Sequence, residues 1–519
     1  MMDDYNVFFL TMKGLRVDLS VFMQPVDGFY RPLATLVLKL SYSLFGLNSV
    51  GYHLANLSLY FLICMIFLFI VRKLFILSAS DPSDPDIISK ANWFTFVCVI
   101  LYCVHPINNM IVNYKTACHL AVFVICMQIS FWAFLSYMES KQVHFYRLSV
   151  FFYLCSLFCN EIGSILPAYL FLVAYYLRSK SFKTSLFMLW PYLLCFTFYI
   201  ILWSHILIRQ ISGGCGLDLP FTVYMATLYE LIRWYVSKLI FPKGLLFLWD
   251  VPVSGHFLFA RLGGLFMFLS IIVFLYFIFI KSKKKLEIFS LTFFLIGFMP
   301  FGFAAFVYTK LTHSGFIEPH WFYFSSLGFF MLITSVLFAL VKNRGHFFKI
   351  ACLVGMIILL VILTRQSDLP WKNNETYCQY WIKMNPFNAA PYEYLAEDQK
   401  LLASTRGFLR SNNTKDIRKD LILLIMNDRD PAFLTKLGVA IANSGQYSMA
   451  FDALDRAITI DPRYGEAYFN LGVLMANTGK YNEAIRVWQK GEEVDPKDHR
   501  FEINILKAMA LVNRGNNPN

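Results

Sequence analysis

Apolar residues run along this chain in long blocks separated by short charged segments. The blocks cover 51–71, 91–104, 117–138, 147–160, 162–177, 184–206, 258–280, 286–306, 321–341 and 347–364. A helix needs roughly 20 apolar residues to cross a bilayer, so the pattern predicts about ten spans. Some blocks are shorter than that. The pair flanking Glu161 reads either as two spans or as a re-entrant hairpin. Two further stretches keep a polar face. Residues 31–46 start at Pro32, stop at Gly46 and set Thr35, Lys39, Tyr42 and Ser43 on one side of an otherwise apolar helix. Residues 221–240 place Arg233 and Lys238 among aromatics. Both patterns predict helices lying in the membrane interface.

Composition agrees with this pattern. Hydrophobic residues are 57% of the 519, and charged residues 15%, against roughly 45–50% and 25% in a soluble domain. Lipid must therefore serve as part of the solvent. The net charge of +13 gives orientation more than function. Loops 72–90, 139–146, 178–183, 281–285 and 342–346, with their flanks, hold Arg72, Lys73, Lys90, Lys141, Arg147, Arg178, Lys180, Lys183, Lys281, Lys283, Lys284, Lys285, Lys342, Arg344 and Lys349. The alternate loops 105–116 and 307–320 hold Lys115 and Lys310. Basic loops stay in the cytoplasm. The N-terminus, loop 207–257 and everything after Thr364 are then expected outside. No Arg/Lys stripe interleaves with aromatics, so nucleic acid is not an expected partner. Most of the cysteines fall in apolar runs and read as buried thiols.

After the last span the sequence repeats itself. Leu437-Gly438 recurs as Leu471-Gly472, Gly445-Gln446-Tyr447 as Gly479-Lys480-Tyr481, Ala450 as Ala484, and Asp461-Pro462 as Asp495-Pro496, each at an offset of 34. That period resembles the tetratricopeptide repeat, a helix–turn–helix unit. The expected fold is all-α: a polytopic transmembrane helical bundle followed by an α-solenoid. Its expected parts are a membrane domain at 1–364, connecting helices with a degenerate repeat at 365–430, two repeats at 431–498, and a capping helix and tail at 499–519. Such stacks bind protein segments or cap a neighbouring domain.

Polar groups at membrane depth are costly and so informative. On the expected outer side they are Asp3, Asp4, Arg31, His105, Lys115, His119, Glu161, Glu318 and His320. Arg31 either positions a phosphate or anchors the interfacial helix to headgroups. His105 either caps a span or contacts phosphate. Glu161 is either a site carboxylate or a surface one. Glu318 and His320 either meet substrate or hydrogen-bond across the outer loops. No paired His or Cys stands at metal-ligand spacing, although a divalent ion is not excluded. No phosphate-cradling Gly loop or dinucleotide fingerprint occurs.

Several motifs together resemble the GT-C membrane glycosyltransferases that carry C-terminal tetratricopeptide repeats, a group that includes transmembrane O-mannosyltransferases and bacterial membrane proteins. They are Tyr30-Arg31-Pro32-Leu33, Leu44-Phe45-Gly46-Leu47-Asn48, Gly51-Tyr52-His53-Leu54-Ala55-Asn56, His105-Pro106 with Val112-Asn113-Tyr114, Asn160-Glu161 with Pro167, Lys238-Leu239-Ile240-Phe241-Pro242, and Glu318-Pro319-His320-Trp321-Phe322-Tyr323. The resemblance implies transfer of a sugar from a polyprenyl-phosphate carrier to an extracytoplasmic hydroxyl on protein or glycan. It implies a general base at Asp3 or Asp4. Substrate contacts are implied among Arg31, His105, Lys115, Glu161, Glu318 and His320. The repeats are expected to dock the protein acceptor or a partner. Relatives carry Lys where Asn160 stands, and a membrane span before the acidic pair, so an eleventh span is expected ahead of Asp3. The setting implied is a multi-pass position in a membrane, the bacterial inner membrane above all. The alternative function is a non-catalytic scaffold that gathers partners outside the membrane through its repeats.

Overall fold

The structure is a computed structural model that describes residues 30–46, 48–79, 81, 83–211, 221–246, 249–252, 258–281, 284–303, 314–372, 374–384, 431–443, 447–496 and 498–515. It divides into two compact units, one reaching Leu369 and one starting at Pro370.

In the first unit the described part of each expected apolar run lies largely on helix. Among the described residues six helices are long and apolar enough to cross a membrane: Ser49–Ser78, Pro85–Val104, Cys118–Ser140, Leu262–Lys281, Lys285–Gly302 and Phe347–Lys372. The runs at 147–160, 162–177, 184–206 and 321–341 fall on shorter apolar helices, Val143–Cys159, Glu161–Leu177, Trp190–Ser204 and Ser326–Leu340. The second of these is not uniform. It is a 3-10 turn at Glu161–Ile165, α-helix at Leu166–Leu172 and π-helix at Val173–Leu177. Pro167 has no N–H to give and suits a first turn, so the α-helical part begins there.

We call Pro32–Phe45 α1, Ser49–Ser78 α2, Pro85–Val104 α3, Cys118–Ser140 α4 and Val143–Cys159 α5. Local chemistry sets their ends. Pro32 opens α1, and Gly46 closes it at φ +53°. The Asn48 side chain accepts from Val50 N, 3.0 Å away, and the Asp84 side chain from Asp86 N, 2.8 Å away, each satisfying a donor that a helix start leaves free. Lys141 ends α4 in the left-handed region.

Both faces of most spans are apolar, so packing rather than pattern separates core from lipid. On α2 the face Tyr52, Asn56, Tyr60, Cys64 and Phe67 is buried, whereas Leu54, Leu57, Phe61 and Phe69 are exposed. The buried faces meet in an aromatic core. Phe67 lies 4.9 Å from Tyr102, Tyr169 lies 4.2 Å from Phe293, and Phe131 lies 5.6 Å from Phe324. The interfacial stretch expected at 221–240 is a helix, Phe221–Ile240. One feature the sequence reading lacked is an antiparallel ribbon. Trp249–Pro252 pairs with Ser314–Ile317, with Asp250 opposite Phe316.

In the second unit the helices follow the repeat. After a first helix, Asn374–Met384, the described helices are Pro431–Asn443, Tyr447–Ile460, Gly465–Asn477, Tyr481–Val494 and Arg500–Gly515. Leu434, Leu437, Ala450, Leu454, Ala457 and Leu471 share one core. Gly472 explains its own recurrence: a Cβ there would sit 2.3 Å from Trp488 Nε1. Only glycine lets that indole lie flat on the helix, and Nε1 then donates to the Phe469 carbonyl at 3.0 Å.

Candidate functional site

Arg31 precedes α1, and its own backbone is pinned on the buried side. Tyr30 packs against Phe158 at 6.2 Å and Tyr199 at 6.3 Å, and the Tyr199 hydroxyl donates to the Tyr30 carbonyl at 3.3 Å. Thr35 Oγ1 donates to the Arg31 carbonyl at 3.1 Å. The guanidinium is thereby aimed at Glu161. Nε donates to Oε2 at 2.8 Å, and Nη2 to Oε1 at 2.5 Å. This two-point fork is the strongest geometry open to the pair.

Glu161 is presented by a sharp turn after α5. Asn160 is extended, and its side chain accepts from Ile162 N at 3.1 Å, starting the 3-10 turn. Gly163 then passes so close to α5 that a Cβ would stand 2.7 Å from Ser156 Oγ. Asn160 therefore works as a cap where relatives were expected to supply a cation.

The third contribution follows the ribbon. After Ser314–Ile317 comes Glu318, and Pro319 opens a 3-10 turn, Pro319–Phe322. His320 is 3% exposed. Its Nδ1 stands 2.9 Å from Glu318 Oε2, a hydrogen-bond separation in which the N–H direction misses the oxygen. Its Nε2 has no hydrogen-bond partner among the described residues.

His119, at the start of α4, belongs with these groups. Its Nδ1 is 2.6 Å from the Thr116 carbonyl. The charges of Arg31, His320 and Glu318 bear on it, and that of His320 bears on Glu161. Four segments that the sequence assigns to the outer side thus contribute to one charged patch. Burial pushes the Glu318 carboxyl up, but His320, Arg31 and His119 outweigh it and hold the group below the usual carboxylate range. Burial likewise raises Glu161, and the Arg31 fork reverses the shift.

His105 stands apart. Its Nδ1 accepts from Ile107 N at 3.1 Å, and Nε2 lies 3.1 Å from the Leu239 carbonyl. Both nitrogens are occupied. Burial, partly offset by that carbonyl, pushes the ring down to about 4. This is a neutral capping histidine that ties α3 to the Phe221–Ile240 helix. Lys115 lies in a 3-10 turn, Lys115–Ala117, and its side chain is not among those described. Asp3 and Asp4 lie outside the described residues. Sequence reasoning named His119 among the outer polar groups but gave it no role; only its neighbours in space distinguish it. Among the described residues no group of three or more His, Cys, Asp or Glu is placed to hold a metal ion.

Fold and patch together define a multi-pass helical membrane protein with a tetratricopeptide-type solenoid. Comparison with known proteins adds two findings. The family model described as tetratricopeptide repeat matches residues 453–486. A stretch of 117 residues, 21% of this chain, is 32% identical to Protein O-mannosyl-transferase Tmtc3 of Drosophila melanogaster. The matched stretch spans 12% of the length of that relative. Over that stretch the chain is similar to a protein named as an O-mannosyl-transferase.

Proposed function

We propose that this protein transfers a sugar, mannose by analogy with the Drosophila relative, from a polyprenyl-phosphate carrier to a hydroxyl on the outer side of the membrane. The observation that carries this reading is the Arg31–Glu161 fork beside Glu318, His320 and His119. A carrier phosphate needs a cation held in place, and a preorganised guanidinium supplies it without reorganisation at the moment of transfer. Arg31 and Lys115 take the phosphate. Glu161 orients Arg31, and Glu318 and His320 face the acceptor. Asp3 or Asp4 takes the acceptor proton, which requires approach to about 3 Å. The repeats dock the polypeptide that carries the hydroxyl.

The test uses the full chain in isolated membranes with radiolabelled polyprenyl-phosphate mannose, counting label in membrane protein. Arg31→Gln is expected to lower transfer about 100-fold, the cost typical of removing one preorganised donor. Asp3→Asn with Asp4→Asn is expected to lower it at least as far. Unchanged transfer in both variants refutes these roles. The match at 453–486 favours a second reading, a scaffold that binds partners through its repeats. No transfer by the parent, with partner binding retained, selects it.

A further inference from the structure

A cleft opens among segments that the basic loops assign to the cytoplasmic side. Its volume is about 530 Å³, within the roughly 300–1,000 Å³ usual for ligand sites. One wall is aromatic: Phe94 stands 4.8 Å from Phe75 and 5.8 Å from Phe338, and all three line the space. The rim is charged, with Asp81, Asp84, Lys90 and Glu287 lining the same cleft. The fifth charge there, Lys285, is engaged, because its Nζ donates to the Leu177 carbonyl at 3.2 Å.

Much of the rim's hydrogen-bonding capacity is unspent. Asp81 accepts from Ser83 N and Oγ, and Asp84 accepts from Asp86 N, but all three bonds go to Oδ1. Oδ2 of each carboxylate accepts no hydrogen bond among the described residues. Lys90 Nζ lies 3.7 Å from Asp86 Oδ2, too far for a hydrogen bond. The groups are also graded in depth. Asp84 caps α3, and Ile87, Lys90 and Phe94 follow it on one helical face. Carboxylate, ammonium and ring therefore succeed one another toward the bilayer interior, at about 1.5 Å per residue. A phospholipid with an amine end has its parts in the matching order: ammonium outermost, phosphate next, acyl chains beneath.

We propose that this cleft binds one phosphatidylethanolamine molecule of the adjoining leaflet. The lipid ammonium donates to Oδ2 of Asp81 and Asp84. The phosphate meets Lys90, whose long stem carries its charge up to the interface. An acyl chain lies along Phe75, Phe94 and Phe338. The ethanolamine head is favoured because it brings N–H donors to carboxylate oxygens that can still accept. A choline head has no N–H, and a glycerol head has no positive charge. Glu287 adds a further carboxylate to the rim, which disfavours an anionic head. Binding here does not depend on sugar transfer.

The experiment is native mass spectrometry of the full chain in detergent, titrated with phosphatidylethanolamine, phosphatidylcholine and phosphatidylglycerol of matched acyl chains and read as a Kd for each. The parent is expected to bind the ethanolamine lipid about 10-fold more tightly than either other lipid, the effect of one charge-assisted hydrogen bond. Asp81→Asn with Asp84→Asn is expected to bring the ethanolamine and choline lipids within about threefold of each other. Asparagine caps a helix as well as aspartate does, so this variant keeps the start of α3. Lys90→Gln is expected to weaken all three lipids alike, since each carries the phosphate. Three Kd values within about threefold in the parent mean nonselective boundary lipid and overturn the proposal. Tightest binding of phosphatidylglycerol overturns it as well, and so does an ethanolamine preference that survives the double substitution. If the double variant does not fold, the parent's ranking and Lys90→Gln decide, and unchanged binding by Lys90→Gln overturns the assignment.

Discussion

Replacing Glu161 with Gln keeps the shape of the Arg31 fork and removes its charge. The side chains of the pair are 25% and 22% exposed. Exposed ion pairs contribute roughly 0–1 kcal/mol, whereas removing one partner of a buried pair costs about 3–5 kcal/mol. This partly buried, two-point pair falls between, so Glu161→Gln should destabilise the membrane unit by about 2 kcal/mol. Arg31→Gln should cost a similar amount, and the double variant less than the sum. The expected coupling is about 1–2 kcal/mol in the double-mutant cycle. The assay is thermal unfolding of the full chain in detergent, followed by tryptophan fluorescence. The same variants are assayed for transfer, where a loosened guanidinium should cost Glu161→Gln about 10- to 100-fold. Acidity gives an independent check. The Glu161 carboxyl is raised by burial but held below its ordinary value by Arg31. A carboxyl depressed in the folded state contributes stability above its unfolded pKa of about 4.3, and loses that contribution as pH falls through the lower folded value. The parent should therefore destabilise in that acid window more steeply than Glu161→Gln. A coupling below about 0.5 kcal/mol, or superimposable acid curves, would refute the idea that the fork is a structural and electrostatic unit.

Two further variants test the rest of the description. Trp488→Ala opens a cavity over Gly472 and removes the indole's hydrogen bond to the Phe469 carbonyl; it should destabilise the repeat unit by about 3–5 kcal/mol, read as earlier unfolding and faster proteolysis after residue 430, and a loss below about 1 kcal/mol contradicts the packing. His105→Ala removes the cap on Ile107 and the tie to Leu239; it should lower stability by about 1–3 kcal/mol without changing the donor KM, and a raised KM at unchanged stability would return His105 to the substrate site.

Much of this molecule was legible in the chain itself. Runs of apolar residues mark helices because a bilayer accepts only backbones that satisfy their own hydrogen bonds. The 34-residue offset marks the repeats because Gly438, Gly472, Ala450 and Ala484 recur wherever one helix must approach another. Pro32 and Gly46 marked the ends of α1, but its expected interfacial face was misassigned: Thr35 and Lys39 are buried against neighbouring segments, and Leu40 and Leu44 are exposed.

Tertiary structure decided what joins across the chain. Arg31 and Glu161 are 130 residues apart, and no local pattern shows that one fork closes between them. His105 and His119 look alike in sequence, each beside an outer loop. The first is consumed by the Leu239 carbonyl, 134 residues away, and the second falls among Arg31, Glu318 and His320. Which face of α2 meets protein and which meets lipid was equally undecided, because both are apolar and transfer free energy alone does not distinguish them. Packing distinguishes them, by placing Asn56, Tyr60 and Cys64 against neighbours and leaving Leu54, Leu57 and Phe61 exposed. Local periodicity determines which segments are helical; complementary shape and charge between distant segments determine which side chains meet.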